Sequence, residues 1–255
     1  MVVMRNTTGK STSRNTLLTT VLIALFAALS YVVLYIKIPM GEQFVHMGNM
    51  VTILAALLIG GWQGGLSGSI GMGLYDIFFY PTSVVKTLIL KFGIGLFTGL
   101  IARVGHRHPD RSPRKGLAAA SAVSLVIGLV LLAGRLFRLG GLADVTPVAT
   151  VFLLVLGVLL GLLLLASLKT DKLNNEVLFA TLGATVGILW NIVGEFLFAL
   201  VTKMLAGMSF EAAAIAALLK IPASFVNGSF SIFGAVLLYV PLKAALGRAR
   251  LLPQT

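Results

Sequence analysis

The fold of this chain is decided by residues 41–91, GEQFVHMGNMVTILAALLIGGWQGGLSGSIGMGLYDIFFYPTSVVKTLILK. Apolar helical segments alternate here with short polar turns, and the small residues Gly61, Gly65, Ser69 and Gly73 recur every fourth position. Residues four apart share a helix face, so this stripe predicts close helix packing. Polar residues gather towards one end of the unit: His46, Asn49, Tyr75, Asp76, Tyr80, Lys86 and Lys91. The pattern predicts a membrane bundle that binds a solute near one membrane surface.

The composition is that of a membrane protein. Hydrophobic residues make up 58% of the 255 positions and charged residues 11%, with a mean hydropathy of +1.00. Soluble domains are usually about 45–50% apolar. Several apolar runs reach the ~20 residues that cross a bilayer, and they are continuous rather than alternating, which favours helices over a barrel. We predict an all-α integral membrane protein, a bundle of about six to eight transmembrane helices.

The apolar runs predict one transmembrane bundle at residues 17–248, between a cytoplasmic N-tail at 1–16 and a cytoplasmic C-tail at 249–255. Eight spans are expected, at 17–36, 44–61, 64–80, 84–103, 117–133, 147–168, 177–203 and 221–244, with a short amphipathic piece at 210–219. Residues 117–168 form the least polar pair of spans.

The charge distribution predicts the orientation. The net charge is +12, and 13 of the 20 Lys and Arg residues fall on the side of the bundle that holds both tails. Cytoplasmic segments retain Lys and Arg, so both tails are expected in the cytoplasm. Arg135 and Arg138 do not fit this arrangement. The sequence lacks the basic stripe interleaved with aromatic residues that a nucleic-acid surface needs, so no nucleic-acid partner is expected.

Several kinds of chemistry have no motif in the sequence. There is no cysteine, which excludes disulfides and thiolate catalysis. Gly9-Lys10-Ser11 looks like the end of a phosphate-binding loop, but Met4 stands where its first glycine should be. The metalloprotease motif H-E-x-x-H and the hydrolase motif G-x-S-x-G are also absent. We therefore expect no enzyme activity, no metal site and no cofactor of the chain's own.

Polar side chains within the predicted spans concentrate in their outer halves. The candidate substrate-binding residues are His46, Asn49, Tyr75, Asp76, Tyr80, Lys86, Trp190, Asn191, Glu195 and Asn227. Aromatic rings would stack on a flat ligand, and Asp76, Asn191 and Glu195 would bind its polar edge. Two carboxylates suggest a neutral or cationic ring slightly more than an anionic folate. The alternatives are that Asp76 pairs structurally with Lys86 or Lys91, that the asparagines bond neighbouring helices, and that Lys86 and Lys220 snorkel to water.

Three segments together carry a family resemblance. They are His46-Met47-Gly48-Asn49, LLIGGWQGGLSGSIGMGLYD at 57–76 and VVKTLILKFGIGLFTGLIA at 84–102. The combination resembles the substrate-binding S component of energy-coupling factor (ECF) vitamin transporters, in the branch with a His-x-Gly-Asn motif. The last two spans are similar to those of the same branch. S components usually have six spans, so residues 117–168 are interpreted as an inserted hairpin.

The resemblance implies a function and a set of partners. The chain would capture a water-soluble vitamin, such as a thiamine precursor, a pyridoxine-type compound, riboflavin, folate or cobalamin, outside a prokaryotic plasma membrane. A lid at 37–44, including Glu42 and Gln43, would cover the site. A transmembrane coupling subunit would dock on Ala24, Ala27 and Ala28, unless this patch packs within the bundle. Two ATPase subunits would use the ATP.

Two other classes of function remain open at this point. A stand-alone secondary carrier would need a path for a coupling ion, but the carboxylates are confined to one leaflet, and no paired half-repeat is visible. A membrane enzyme would need convergent nucleophilic or metal-binding residues, and the sequence offers no such set.

Overall fold

The computed structural model describes residues 8–40, 43–108, 110–137, 147–169 and 175–252. Side chains are described in these ranges except at 8–13, 43, 147–149 and 152. The described residues form nine helices and one hairpin. The helices are α1 (Thr8–Val32), α2 (Gly48–Ile59), α3 (Gly61–Phe79), α4 (Val84–Arg107), α5 (Arg114–Leu136), α6 (Pro147–Lys169), α7 (Asn175–Leu205), α8 (Phe210–Leu218) and α9 (Ile221–Arg248).

The predicted helical membrane bundle is confirmed. Each of the eight predicted spans overlaps one of the helices α1 to α7 and α9, and α8 takes the place of the short amphipathic piece. Five helical segments within the described residues are long and apolar enough to cross a membrane; they begin at Arg14, Pro81, Arg114, Asn175 and Phe210. The helix α2 and the described apolar part of α6 are shorter. Prediction and structure differ mainly at two helix starts.

The first difference is the start of α1. The helix begins at Thr8, so half of the tail predicted at 1–16 is helical. The segment TGKSTSRN contains no proline, and its single glycine near the helix start costs only about 1 kcal/mol. The polar turns therefore extend the apolar helix that follows.

The second difference is the start of the second span, which was predicted at residue 44. Residues Gln43–His46 form strand β2, which pairs antiparallel with strand β1, Lys37–Met40. Phe44 and Val45 are aromatic and β-branched residues that suit a strand, and helix α2 begins only at Gly48. At 1.5 Å per residue, its 12 residues reach about 18 Å, less than the ~30 Å apolar core of a bilayer. The β1–β2 hairpin therefore precedes α2 and takes the place of the first residues of the predicted span.

The glycine stripe of α3 packs directly on α4. A Cβ atom added to Gly95 would lie 2.2 Å from the backbone nitrogen of Gly65, and one added to Gly99 would lie 2.2 Å from the Cα of Gly61. Further along the same face, the Ser69 hydroxyl donates to the Leu88 carbonyl oxygen at 2.8 Å. Only residues without bulky side chains allow two backbones to come this close.

A second glycine face of α3 packs on α1 and α2. A Cβ atom at Gly64 would lie 2.3 Å from the Ala56 nitrogen, and one at Gly71 would lie 2.2 Å from the Ala27 carbonyl oxygen. The helix α2 is enclosed by this packing, since every residue from Val51 to Ile59 is buried. Helix α3 is therefore held between α4 on one side and α1 and α2 on the other.

The helices α5 and α6 form a peripheral pair with a small core of their own. Leu117, Leu156 and Leu160 pack there against Leu178 of α7. The Ser121 hydroxyl donates to the Gly157 carbonyl oxygen at 2.7 Å, which joins the two helices. The main core lies elsewhere, around α2, α7 and α9. Whether this pair is an insertion relative to the six-span S components remains a prediction.

The two ends of the bundle differ. One end carries the β1–β2 hairpin, and we call it the hairpin end. The start of α1 and the end of α9 line a common cavity at the other end, which we call the terminal end. The start of α1 and the end of α9 therefore lie at the same end of the bundle, and the cytoplasmic location of both tails stays a prediction.

The α3–α4 contact is tested by Gly95→Ala. The added methyl group would meet the Gly65 backbone and force the helices apart, at a typical cost of about 1–3 kcal/mol for overpacking. We expect a lower thermal unfolding midpoint for the purified protein in detergent. The control is Gly247→Ala near the end of α9, where nothing lies within 4 Å of an added Cβ atom. Equal midpoints for the two variants would contradict this packing.

Candidate binding site

A cavity of about 230 Å³ lies at the hairpin end, between α1, the hairpin, α3, α4 and α7. Its walls combine charged and aromatic side chains, which is typical of a ligand pocket. The lining residues are Leu34, Lys37, Phe44, His46, Met72, Tyr75, Asp76, Tyr80, Ser83, Lys86, Thr87, Lys91, Glu195 and Lys220.

Two lysines of α4 share one carboxylate of α7. The Lys86 Nζ atom donates to the Glu195 Oε2 atom at 3.0 Å, and the Lys91 Nζ atom lies 4.0 Å from the Glu195 Oε1 atom. Lys91 is only 6% exposed, and its ammonium group also donates to the Asn191 Oδ1 atom at 2.7 Å. Asn191 and Glu195 are one helical turn apart, so they face Lys91 from the same side of α7.

Asp76 is not the carboxylate that pairs most closely with these lysines. Its Oδ2 atom accepts a hydrogen bond from the Thr87 hydroxyl at 2.5 Å, across the α3–α4 interface. The structural alternative predicted an ion pair between Asp76 and Lys86 or Lys91. Among the described residues, the ion pairs of both lysines are made with Glu195 instead.

His46 ends the second strand and faces the cavity as a neutral ring. Its backbone N–H donates to the Asn227 Oδ1 atom at 3.3 Å, and its Nδ1 atom accepts from the Gly48 N–H at 3.1 Å. Burial, and to a smaller extent the charges of Lys91 and Lys37, lower the pKa of the imidazole to about 3. Because Nδ1 is an acceptor, the proton of the neutral ring lies on Nε2.

The mouth of the cavity is an aromatic cluster around Lys37. The Lys37 Nζ atom donates to the hydroxyls of Tyr75 and Tyr80, each at 3.0 Å. It also lies 4.5 Å from the ring centroid of Phe44, within cation–π range. The hydrogen bonds to Tyr80 and Tyr75 raise the pKa of Lys37, so its ammonium group stays charged.

The structure brings most of the predicted site residues together. The six that line the cavity are His46, Tyr75, Asp76, Tyr80, Lys86 and Glu195. Asn191 and Asn227 lie behind this wall and bond Lys91 and the His46 backbone. Asn49 is 2% exposed, and its Oδ1 atom has no hydrogen-bond partner among the described residues. Asn191 and Asn227 therefore accept hydrogen bonds from neighbouring elements, which is the alternative to ligand binding that the sequence analysis left open.

Trp190 lies outside the cavity, contrary to the prediction. Its ring contacts Phe97 at a centroid distance of 5.1 Å and borders an apolar groove with Ser69 and Phe92. Consecutive helical residues point about 100° apart, so Trp190 and Asn191 face different sides of α7. The tryptophan therefore packs against α4 and would not stack on a ligand in this cavity.

The predicted set omitted six polar or aromatic lining residues: Lys37, Phe44, Ser83, Thr87, Lys91 and Lys220. Lys220 was interpreted as a residue that snorkels to water. The sequence could have predicted Thr87 and Lys91 together, because residues four apart share one face of helix α4. Lys37 and Phe44 were assigned to the lid rather than to the site.

The lid and docking residues are only partly described. Glu42 lies outside the described residues, and Gln43 is described as backbone alone, in strand β2. On α1, Ala24 and Ala28 are exposed on the outer face of the bundle. Ala27 is buried, and its carbonyl oxygen faces Gly71 of α3. The three alanines of the predicted patch therefore face different ways: Ala27 packs within the bundle, and only Ala24 and Ala28 remain available for docking.

A larger cavity, of about 960 Å³, occupies the terminal end. It includes Arg103 and Arg107, which are exposed, and Lys243, which donates to the Glu176 carboxylate as the Tyr239 hydroxyl does. Ionisable groups buried at membrane depth indicate a functional site more strongly than exposed ones do. The cavity at the hairpin end, which encloses Lys91, is therefore the candidate binding site.

Comparison with known proteins identifies the family. The family model described as "ECF-type riboflavin transporter, S component" matches residues 13–139, from α1 through α5. The chain belongs to the S components of ECF-type transporters, as its motifs predicted; the assignment to a His-x-Gly-Asn branch stays a prediction.

A curated protein from Pyrococcus woesei, described as "Uncharacterized protein in gap 3'region", is 31% identical over 68 residues. That alignment covers 27% of this chain and 46% of the relative, so the chain spans about half of the relative's length. No solved structure matches the chain.

The shared carboxylate is tested by Glu195→Gln. Leaving Lys91 buried without its partner should cost about 3–5 kcal/mol, the usual result of breaking a buried ion pair. Thermal unfolding in detergent measures this loss. The double variant Glu195→Gln/Lys91→Met should recover part of it, because it removes the stranded charge. Glu211→Gln, at an exposed position of α8, is the control. A Glu195→Gln variant as stable as the wild type would refute the pairing.

Proposed function

We propose that this chain is the substrate-specific membrane component of an ECF-type importer that captures a water-soluble vitamin or precursor. Membership of the S-component family supports the general role. The observation that carries the proposal is the polar cavity at the hairpin end, with buried Lys91 and Glu195 in its wall. Charged groups are costly at membrane depth and are kept there for binding or transport.

The side from which the ligand enters follows from the charges. Most basic residues lie at the terminal end, and the positive-inside rule places that end in the cytoplasm. The hairpin end then faces the outside, and the cavity opens to external solute. The β1–β2 hairpin would act as the lid.

The energy for import would come from partner subunits. No phosphate-binding loop is present in the sequence, so ATP would be hydrolysed by two ATPase subunits joined through a transmembrane coupling subunit. The exposed face of α1 suits the coupling subunit, because Ala24 and Ala28 form a smooth strip one turn apart. Leu17, Val21 and Leu25 extend this apolar face and would pack on a partner helix.

The direct test of ligand capture is to purify the chain alone from cells grown in rich medium and to analyse bound small molecules by mass spectrometry. We expect a vitamin or precursor at close to one molecule per chain. A panel of vitamins, riboflavin included, would then be tested for thermal stabilisation of the emptied protein. An empty protein that no vitamin stabilises would contradict the proposed function.

The docking surface is tested by Ala24→Trp. The bulky ring would hold a partner helix away from α1, so assembly with the coupling subunits and vitamin uptake should both be lost. Vitamin binding by the isolated chain should remain unchanged, since Ala24 is remote from the cavity. The matched control is Ala119→Trp at an exposed position of α5. Normal assembly and uptake by Ala24→Trp would contradict docking on this face.

A further inference from the structure

The cavity at the hairpin end has an excess of positive charge. Four lysines line it: Lys37 of strand β1, Lys86 and Lys91 of helix α4, and Lys220 directly before helix α9. The lining carboxylates are those of Asp76 and Glu195. The neutral His46 ring adds no charge. The lining therefore carries a net charge of +2 when the six ionisable groups are charged.

The excess is most pronounced around Glu195. This carboxylate serves two ammonium groups at once, Lys86 at 3.0 Å and the buried Lys91 at 4.0 Å. The two ammonium groups and the one carboxylate together carry a net charge of +1, and Lys91 is only 6% exposed. Asp76, the other carboxylate, accepts from the Thr87 hydroxyl. A buried cation is stable when an anion faces it. An anionic ligand beside Lys86 and Lys91 would therefore neutralise the positive charge that Glu195 leaves unpaired.

Hydrogen-bond donors also exceed acceptors around the cavity. A lysine has three donors and no acceptor. Among the described contacts, Lys91 makes one hydrogen bond, to Asn191, and Lys86 makes one, to Glu195. The Nε2–H of His46 enters none of the hydrogen bonds recorded between described residues. The wall thus offers donors to a ligand that supplies acceptor oxygens.

The size of the cavity limits the ligand. Pockets for drug-sized molecules are typically ~300–1,000 Å³, and this one measures about 230 Å³. The apolar and aromatic parts of its wall, Leu34, Met72 and Tyr75, leave room for a compact body beside the charged group. A large ring system bearing several polar substituents would not fit without a change in the cavity.

We infer that the ligand of this cavity is a small organic anion whose carboxylate lies between Lys86 and Lys91. This inference rests on the proposed function and specifies its substrate class. It replaces the expectation of a neutral or cationic ring, which counted Asp76 and Glu195 as ligand-binding groups. The structure shows both carboxylates engaged with α4, and the ammonium groups of Lys86 and Lys91 keep donors beyond the bonds they make there. Lys37 at the mouth would attract the anion before it enters.

The test uses matched pairs of ligands that differ in charge. Nicotinate and nicotinamide, and pantothenate and pantothenol, are titrated into the purified chain by calorimetry. In at least one pair the anion should bind about tenfold or more tightly than its neutral partner, as expected for a charge-assisted hydrogen bond. If the neutral member binds equally well or better in every pair that binds, the inference is overturned and the proposed function stands. If no member of any pair binds, the inference is overturned, and the proposed function falls as well if the vitamin panel also fails to stabilise the emptied protein.

A lysine variant separates recognition of the charge from a structural role. Lys86→Met leaves Glu195 beside Lys91, so the fold should persist. It should weaken binding of the anion about tenfold and leave the neutral partner unchanged. Lys203→Met, which removes a positive charge from α7 at the same end but outside the cavity, should change neither affinity. Equal loss of both ligands in Lys86→Met would overturn the inference.

Discussion

The close contact between the backbones of α3 and α4 is the constraint on which the rest of the structure depends. Gly61 and Gly65 lie against Gly95 and Gly99 with no room for an added methyl group. Within a bilayer, where lipid tails are as apolar as leucine, such complementary packing and interhelical hydrogen bonds hold helices together. The same contact fixes the rotation of α4, and with it the direction in which its polar residues point.

The candidate site follows from that rotation. Once Ser69 bonds the Leu88 carbonyl, Thr87 reaches Asp76 on α3, while Lys86 and Lys91 turn towards α7. There Asn191 and Glu195 receive the two ammonium groups. The short helix α2 leaves space at this end, and the hairpin covers it. A packed apolar half and a polar, ligand-sized space are therefore consequences of the same helix contacts.

The sequence could predict the helices, the glycine interface and much of the site, because run length and four-residue spacing are local properties. It could not predict how a mostly apolar helix is rotated about its own axis. Trp190 was therefore placed in the site beside Asn191, although the two residues face different sides of α7. The strand at Phe44 was also missed, because its partner strand lies across a turn and an apolar run of that length suits either state. The division of charge between Glu195 and Asp76 depends on distances that spacing alone does not supply.

The central claim is that the cavity at the hairpin end, rather than the larger one at the terminal end, binds the transported solute. An experimental structure of the chain with its co-purified small molecule tests this most directly. We predict ligand density beside Lys86, Lys91 and Tyr75, beneath the β1–β2 hairpin. Density among Arg103, Arg107 and Lys243, with the space beside Lys91 unoccupied, would contradict the account.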